Sequence, residues 1–416
     1  MESATKLTFA TGSRFALEIY MIIISYLSSS STHDLDKMSL VYKSWLPLCR
    51  FHLFSEVIYQ DTFAAFLLSS PHAIRSVAPH IRKVILRGHY STYQQDCDRR
   101  RSFFRLTRIN HIQLEHFNVD DDVFQSIFQI LSISKLSAIN LRSVHFASFG
   151  DFVNLIERVD TSLRSLSIDS VSWDPIPRVS ADLTHGERVP VEPSPLETIS
   201  VRFSNTKIFL NWLAYGAVPT GIAPHEDLGP RRNFPHLSRL CITDILAEEA
   251  SAVGIFLSGA GDSLEHVELG VTAHDLSIKN TDFLSNIRLE NNPMLKRIII
   301  RDVNLFQFPS FEVNSVDKVS PAIASPHAWI SELLSSVQAN GRVEVRIHLW
   351  FCTEDQLDTF PWIDLDDALS SRPSQFLIDF RLSGIGWADT NMIKTWFTKR
   401  LPKTDATIVT ANLDGV

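Results

Sequence analysis

A short apolar motif, hydrophobic-x-x-hydrophobic-x-hydrophobic, returns through most of the chain at a nearly fixed interval. It reads Ile81, Val84, Leu86; Ile109, Ile112, Leu114; Leu136, Ile139, Leu141; Leu163, Leu166, Ile168; Leu196, Ile199, Val201; Leu237, Leu240, Ile242; Leu264, Val267, Leu269; Leu295, Ile298, Ile300; and, after a gap, Leu377, Phe380, Leu382. Up to Leu295, successive starts lie 28, 27, 27, 33, 41, 27 and 31 residues apart. Apolar residues at i and i+2 face the same side of a strand, so each copy predicts a short strand with one side buried. Helical spacing recurs between the strands. Phe124, Ile127, Phe128 and Leu131 follow Asp121 and Asp122; Phe152, Val153 and Ile156 follow Ser148-x-x-Asp151, an approximate capping box. Ile330, Leu333, Leu334 and Val337 follow Ser325-Pro326 and precede Asn340-Gly341, which predicts a left-handed helix exit. One strand and one helix cannot enclose a core by themselves. Stacked neighbours can, so the period predicts an α/β solenoid, a curved parallel sheet with an outer layer of helices. An open α/β sheet with ordinary crossover helices is the alternative that the pattern leaves standing.

Three stretches interrupt the period. Residues 174–195 hold Pro175, Pro177, Pro190, Pro193 and Pro195; residues 216–236 hold four prolines and three glycines; residues 305–326 are rich in Phe, Ser and Pro. All three read as loop insertions, which in a stacked array project from one edge and are candidate binding elements. A length of 416 residues at 44% hydrophobic supports a core of this extent. The net charge of -8 is spread along the chain with no acidic or basic tail, which argues against nucleic acid or an anionic membrane as a standing partner. Cys49, Cys97, Cys241 and Cys352 lie far apart without a Cys-x-x-Cys pair. That usage points to a reducing compartment and offers no zinc framework. The early apolar run Tyr20–Ile24 is too short to span a bilayer, and it follows a segment that carries Glu2 and Glu18 and no signal-type cleavage site. The expected location is intracellular, cytoplasmic and/or nuclear.

The first fifty residues differ from the rest. Phe15, Ile19, Ile22, Ile23, Tyr26 and Leu27 fall on one helical stripe. Ser28–Ser31 break it, and Thr32 or Asp34 can cap a second helix carrying Leu35, Met38, Val41, Tyr42 and Trp45. Pro47 ends that helix and permits a third around Leu48, Phe51 and His52, ahead of the strand-like Val57-Ile58-Tyr59. A helical module of about forty residues is near the lower limit for folding alone.

This segment resembles an F-box. The family opens on Leu-Pro-x-Glu-Ile, passes through an amphipathic helix ending in a hydrophobic-Leu pair and closes on Leu-Val-x-x-x-Trp. Here the matching residues are Phe15-Ala16-Leu17-Glu18-Ile19, Tyr26-Leu27 and Leu40-Val41-Tyr42-Lys43-Ser44-Trp45. Phe15 stands for the leading Leu and Ala16 for the Pro, so proline geometry does not fix the start of the first helix. The resemblance implies docking to a Skp-type adaptor, and through it to a cullin-RING complex, by Phe15, Leu17, Ile19, Ile23, Leu27, Val41 and Trp45. The core of some other helical hairpin would use the same stripe. The remainder resembles the leucine-rich repeat, whose strand signature is Leu-x-x-Leu-x-Leu-x-x-Asn/Cys. The first three positions match, while the Asn/Cys position holds Phe117, Val144, Val171, Ile245 and Val303. An irregular solenoid lacking the regular side-chain ladder is the implication. The expected division is 13–56 for the F-box-like module and 57–416 for the repeats.

No phosphate-cradling Gly-rich loop, Gly-x-Ser-x-Gly elbow or His-Glu-x-x-His motif occurs. Asp120–Asp122 and the Asp364, Asp366, Asp367 group read as helix starts and solvated faces. The expectation is therefore a protein that is not an enzyme, with no cofactor and no metal. Arg99, Arg100, Arg101, Arg105 and Arg108 flank Phe103 and Phe104 and could receive an acidic or phosphorylated substrate segment; a solvated basic loop paired with Asp96 and Asp98 is the plainer reading. The functional expectation is the substrate-recognition adaptor of a Skp-cullin-F-box ubiquitin ligase, its repeats binding a protein substrate. The rivals are a repeat-based interaction scaffold whose degenerate F-box joins no ligase, and a hydrolase for which the sequence names no nucleophile.

Overall fold

The computed structural model describes residues 22–24, 37, 45–69, 71–88, 103, 105–119, 135–159, 162–174, 195–215, 234–271, 286–305, 327–372, 375–384, 390–404 and 409–413. In chain order the elements are α1 (Leu46–Phe54), β1 (Glu56–Tyr59), α2 (Asp61–Ser69), α3 (Pro71–Ser76), β2 (Lys83–Arg87), β3 (His111–Glu115), β4 (Asn118–Val119), β5 (Ala138–Arg142), β6 (His145–Phe146), α4 (Phe149–Val159), β7 (Ser165–Asp169), β8 (Ser172–Trp173), β9 (Thr198–Arg202) and α5 (Thr206–Tyr215). There follow β10 (Arg239–Ile245), α6 (Ala250–Ala260), β11 (His266–Val271), β12 (Arg297–Asn304), α7 (Ala328–Ser336), β13 (Val343–Phe351), α8 (Glu354–Leu357), α9 (Trp362–Ser370), β14 (Phe376–Gly384), α10 (Thr390–Arg400) and β15 (Val409–Leu413). Two compact units emerge, one of Met1–Ala147 with Asp151–Ser162, the other of Ser148–Gly150 with Leu163–Val416. Residue 56, where the module and the repeats were expected to meet, lies inside the first unit.

In the first unit β1, β2, β3 and β5 pair in parallel. Their register sets Val84, Ile112 and Ile139 in one row and Leu86, Leu114 and Leu141 in the next, each no more than 2% exposed. These are motif positions, and the period of two puts them on one side. Pro47 sits in the first turn of α1, where an amide donor has no helical partner to lose. Phe146 on β6 meets Phe152 of α4 edge-on at 5.6 Å.

The second unit repeats the arrangement with β7, β9, β10, β11, β12, β13, β14 and β15, every neighbouring pair parallel. Strand order follows chain order throughout, without the reversal that marks a doubly wound sheet. This is α/β architecture of repeat-like kind, and each strand buries its apolar side beside the copies before and after it. Leu166, Ile199, Leu240, Val267, Ile298, Val345 and Ile378 form one fully buried row; Ile168, Val201, Ile242, Leu269, Ile300, Ile347 and Phe380 form the next. Helices cover that side: Phe397 of α10 stacks on Phe380 at 4.5 Å and Trp362 of α9 packs on it at a tilt at 5.6 Å.

A backbone device recurs seven residues after six of the eight motif starts up to Leu295, Ile81 and Leu264 being the exceptions. His116, Ser143, Ser170, Phe203, Asp244 and Asp302 all have positive φ, between 45° and 61°. The left-handed residue turns the chain so that the residue behind it points inward, and Phe117, Val144, Val171, Ile245 and Val303 are accordingly buried. In β10 and β12 the turn is a bulge within the strand, with pairing resumed at Ile245↔Val271 and Val303↔Leu349. The apolar Asn/Cys position thus gives hydrophobic filling in place of the regular ladder, while serines elsewhere tie copies together. Ser137 Oγ donates to the Asn110 carbonyl (3.1 Å), Ser162 Oγ to Leu136 (2.8 Å), Ser238 Oγ to Glu197 (3.2 Å) and Ser263 Oγ to Leu237 (3.1 Å).

Some local expectations change. Leu377 is not the buried start of a ninth copy: it is 36% exposed, and Phe376, Ile378, Phe380 and Leu382 face inward, because β14 is a longer strand alternating from Phe376. β13 fills the gap before it and follows from plain alternation of Val343, Val345, Ile347, Leu349 and Phe351. Helix α7 forms where expected, but Asn340-Gly341 is not its left-handed exit. Val337, extended and bonded to the Leu334 carbonyl, closes the helix, and Gly261 is the glycine with positive φ among the described residues. The helix expected at 124–131 and nearly all of the three insertions lie outside the described residues. No helix among the described residues is long and apolar enough to cross a membrane.

Candidate functional site

In the N-terminal segment, Ile24 and Cys49 are buried together, with Trp45, Leu48 and Leu53 packed against them. The Cys49 amide closes the first turn of α1 onto the Trp45 carbonyl at 2.9 Å. Burial pushes the Cys49 thiol above its ordinary range, so it behaves as a small apolar filler. Trp45, expected at an adaptor contact, is therefore partly engaged in a local core. Ile23 points elsewhere: it is 42% exposed, beside Ile22 at 68%, with Phe51 of α1 also exposed. Phe15, Leu17, Ile19, Leu27 and Val41 lie outside the described residues.

The arginine run divides. Arg99, Arg100 and Arg101 lie outside the described residues, while Arg105 and Arg108 are exposed. Arg105 Nη1 donates to the Leu67 carbonyl at 3.4 Å. Arg82 Nη1 reaches the Arg108 carbonyl at 3.3 Å, and the His80 imidazole is held below its ordinary pKa first by burial and then by Arg50, Arg82 and Arg108. Arg108 thus shares its field with Arg50 and Arg82, residues distant in sequence from the run it was grouped with.

The densest polar chemistry lies on the second unit's sheet, on the side opposite the apolar rows. Arg297 gives Nε (2.9 Å) and Nη2 (2.6 Å) to Glu344 Oε2. Arg346 then bridges Glu344 Oε1 (3.2 Å) and Asp379 Oδ2 (3.1 Å), Arg381 Nε adds a bond to Asp379 Oδ2 at 2.8 Å, and Thr410 Oγ1 donates to Oδ1 at 3.0 Å. Glu268 pairs with Arg301. Leu377 and Trp350 are exposed on this same side. Sequence reading missed these residues as a group; the signal was their place between apolar motif positions, where every second residue faces out.

Two buried groups of this unit are tuned away from nucleophilic or acid–base work. Cys241 is pushed up to about 11, by burial first and the Glu268 charge next. His327 is pushed down to about 4 by burial and stacks on Phe360 at 6.1 Å, a neutral packing group. A cleft of about 910 Å³ is lined by Gln338, Asn340, Arg342, Ser371, Arg372 and Gln375, with no carboxylate, thiol or imidazole among them. Among the described residues no cluster of His, Cys, Asp or Glu could hold a metal ion.

No family model matches the chain, and no curated protein does. Among solved structures, the crystal structure of the Rad7 and Elc1 complex in yeast contains a chain similar over 97% of this chain and 99% of that one, at 13% identity and a TM-score of 0.39. So loose a likeness leaves function to be argued from the residues themselves.

Proposed function

We propose that the chain is a non-catalytic substrate-recognition adaptor of a Skp-cullin-F-box ubiquitin ligase. In this reading residues 13–56 form an F-box-like module that docks a Skp-type adaptor, and residues 57–416 form a divergent leucine-rich-repeat-like array that holds a protein substrate. Tethering raises the substrate's effective concentration beside a ubiquitin-charged enzyme supplied by other subunits. The observation that carries the reading is the ordered motif from Phe15 to Trp45, together with the exposure of Ile22, Ile23 and Phe51 around a small buried Ile24–Cys49 core. A helical surface that leaves large apolar side chains in water suits a partner helix.

Co-purification of the full chain with a purified Skp-type adaptor tests this. Ile19→Asp combined with Trp45→Ala is expected to abolish it. Because Trp45 also packs on Ile24 and Cys49, Ile23→Asp provides the surface variant, expected to weaken binding about tenfold or more with the helical circular dichroism unchanged. Adaptor binding retained in both variants, or absent from the unaltered chain, sinks the reading. The second reading, a scaffold whose degenerate F-box joins no ligase and caps the array, draws on Ala16 in place of the family's proline and on Trp45 being engaged in its own small core.

A further inference from the structure

On the polar side of the second unit's sheet, the register sets Ser165, Thr198, Arg239, His266 and Arg297 in one row across five successive strands, β7 and β9 to β12. Ser167, Ser200 and Cys241 form the start of the next row. No carboxylate stands in either row before Glu268 on β11, and Glu268 is taken by Arg301. Towards the far ends of the same strands, Asp169 and Asp244 stand beside Arg202. Arg239 is exposed, and its guanidinium has no ion-pair or hydrogen-bond partner among the described residues; the same holds for the Ser165, Ser167 and Thr198 hydroxyls and the His266 ring. Strands lie roughly 4.8 Å apart, so these donors cover about 14 Å from β7 to β11, the reach of four or five extended residues.

Arg239 is donor-only and faces no carboxylate in its row, and the hydroxyls beside it are free to donate, so the surface is completed by a ligand that brings acceptors. A carboxylate or phosphate answers Arg239 with a bidentate, charge-assisted pair, and the flanking hydroxyls can donate to its remaining lone pairs. The whole chain, at -8, would repel an anion, which makes a local row with this character the place where one is accepted. Nucleic acid fits less well. A continuous phosphate backbone leaving Arg239 along the sheet meets Glu268 and Glu344, whereas a peptide can seat one acidic side chain on Arg239 and lay uncharged residues beside Glu268.

We propose that the polar face of β7, β9, β10 and β11 binds an extended acidic segment of a partner protein, with an Asp, Glu or phosphoserine side chain seated on Arg239. This rests on the reading of the repeats as the recognition surface and names the class of target. The isolated chain is assayed without any adaptor, so failure here is separate from failure of adaptor docking.

The test is fluorescence anisotropy of the full chain with labelled Gly/Ser peptides of about eight residues carrying two aspartates, two phosphoserines or two lysines, and with a single-stranded DNA of similar length. The aspartate or the phosphoserine peptide is expected to bind at least about tenfold tighter than the lysine peptide, the better of the two identifying the source of the anion. Arg239→Ala is expected to weaken the better one about tenfold, Arg239→Lys less, and Arg288→Ala, off this face, not at all. Equal binding of acidic and basic peptides, indifference to Arg239→Ala in a variant with unchanged circular dichroism, or DNA binding tighter than either acidic peptide overturns the proposal.

Discussion

Glu249 is 4% exposed, and its two oxygens close two helical starts at once. Oε2 accepts from the Leu246 amide at 3.0 Å, ahead of the 3₁₀ turn Ala247–Glu249, and Oε1 accepts from Lys207 at 3.2 Å in the first turn of α5. Burial raises its pKa above the ordinary 4.5, against the pull of these amide bonds. The sign follows from the direction. With the folded value above the unfolded one, this group's titration favours the fold most below pH 4.5, and that contribution is lost as pH rises through the folded value. Glu249→Ala, which strands two amides, is expected to cost about 2–3 kcal/mol in urea titrations near neutrality. Glu249→Gln keeps an acceptor, costs less and removes this part of the decline in stability with rising pH, measured between about pH 4 and 8. No such role was legible from Glu249 in sequence, since a buried cap is defined by what another repeat brings to it. The same holds for the left-handed positions. His116, Ser143, Ser170, Phe203, Asp244 and Asp302 share a conformation but no chemistry, and the glycine that usually announces positive φ is missing from all six.

Elements were legible where one side is buried and the other wet. The interval between motif starts located β2, β3, β5, β7 and β9 to β12, because two inward residues per strand leave a mark at fixed spacing. It failed at β14, where a fully alternating strand offered Leu377 as a false motif start. The charged side of the sheet was illegible for another reason: Arg297 and Glu344 are 47 residues apart and Arg346 and Asp379 are 33 apart, so only the strand register makes partners of them. Helix α6 shows how tightly one copy seats on the next. A Cβ at Gly254 would stand 1.9 Å from the Asn286 carbonyl oxygen. Asn292, fully buried, donates Nδ2 to the carbonyls of Leu257 (2.9 Å) and Gly261 (3.1 Å) at the end of the same helix. Gly254→Ala raises intrinsic helix propensity, so helix physics alone would make it stabilising. The contact with Asn286 is backbone and cannot swing aside, and the variant is expected to lose about 1–3 kcal/mol, read as a lowered thermal midpoint. An unchanged or raised midpoint would mean that the 286–292 segment has room to retreat.

At the scale of the molecule, the consequence of stacking is locality. Leu269 belongs to an inward row that runs from Ile168 to Phe380, yet its strand pairs only with β10 and β11's other neighbour, β12. In an array of this kind stability is close to a sum of each copy's own term and the terms shared with adjoining copies. A sheet wrapped around one undivided core would instead spread the loss of a central side chain over all its strands. Leu269→Ala removes a fully buried side chain and is expected to cost about 2–5 kcal/mol. Native-state hydrogen exchange locates that cost. Amides of β10, β11 and β12 are expected to lose protection by the full amount, while β14, beyond β13, keeps nearly its original protection. Uniform loss from β7 to β14 would show a single cooperative core and return the fold to an ordinary α/β sheet. Confined loss has a functional corollary within the same unit. The donor surface runs over β7, β9, β10 and β11 with Arg239 on β10, so Leu269→Ala should also loosen the acidic-peptide site, whereas a matching cavity at Ile378 on β14, three strands beyond β11, should leave peptide affinity as it was.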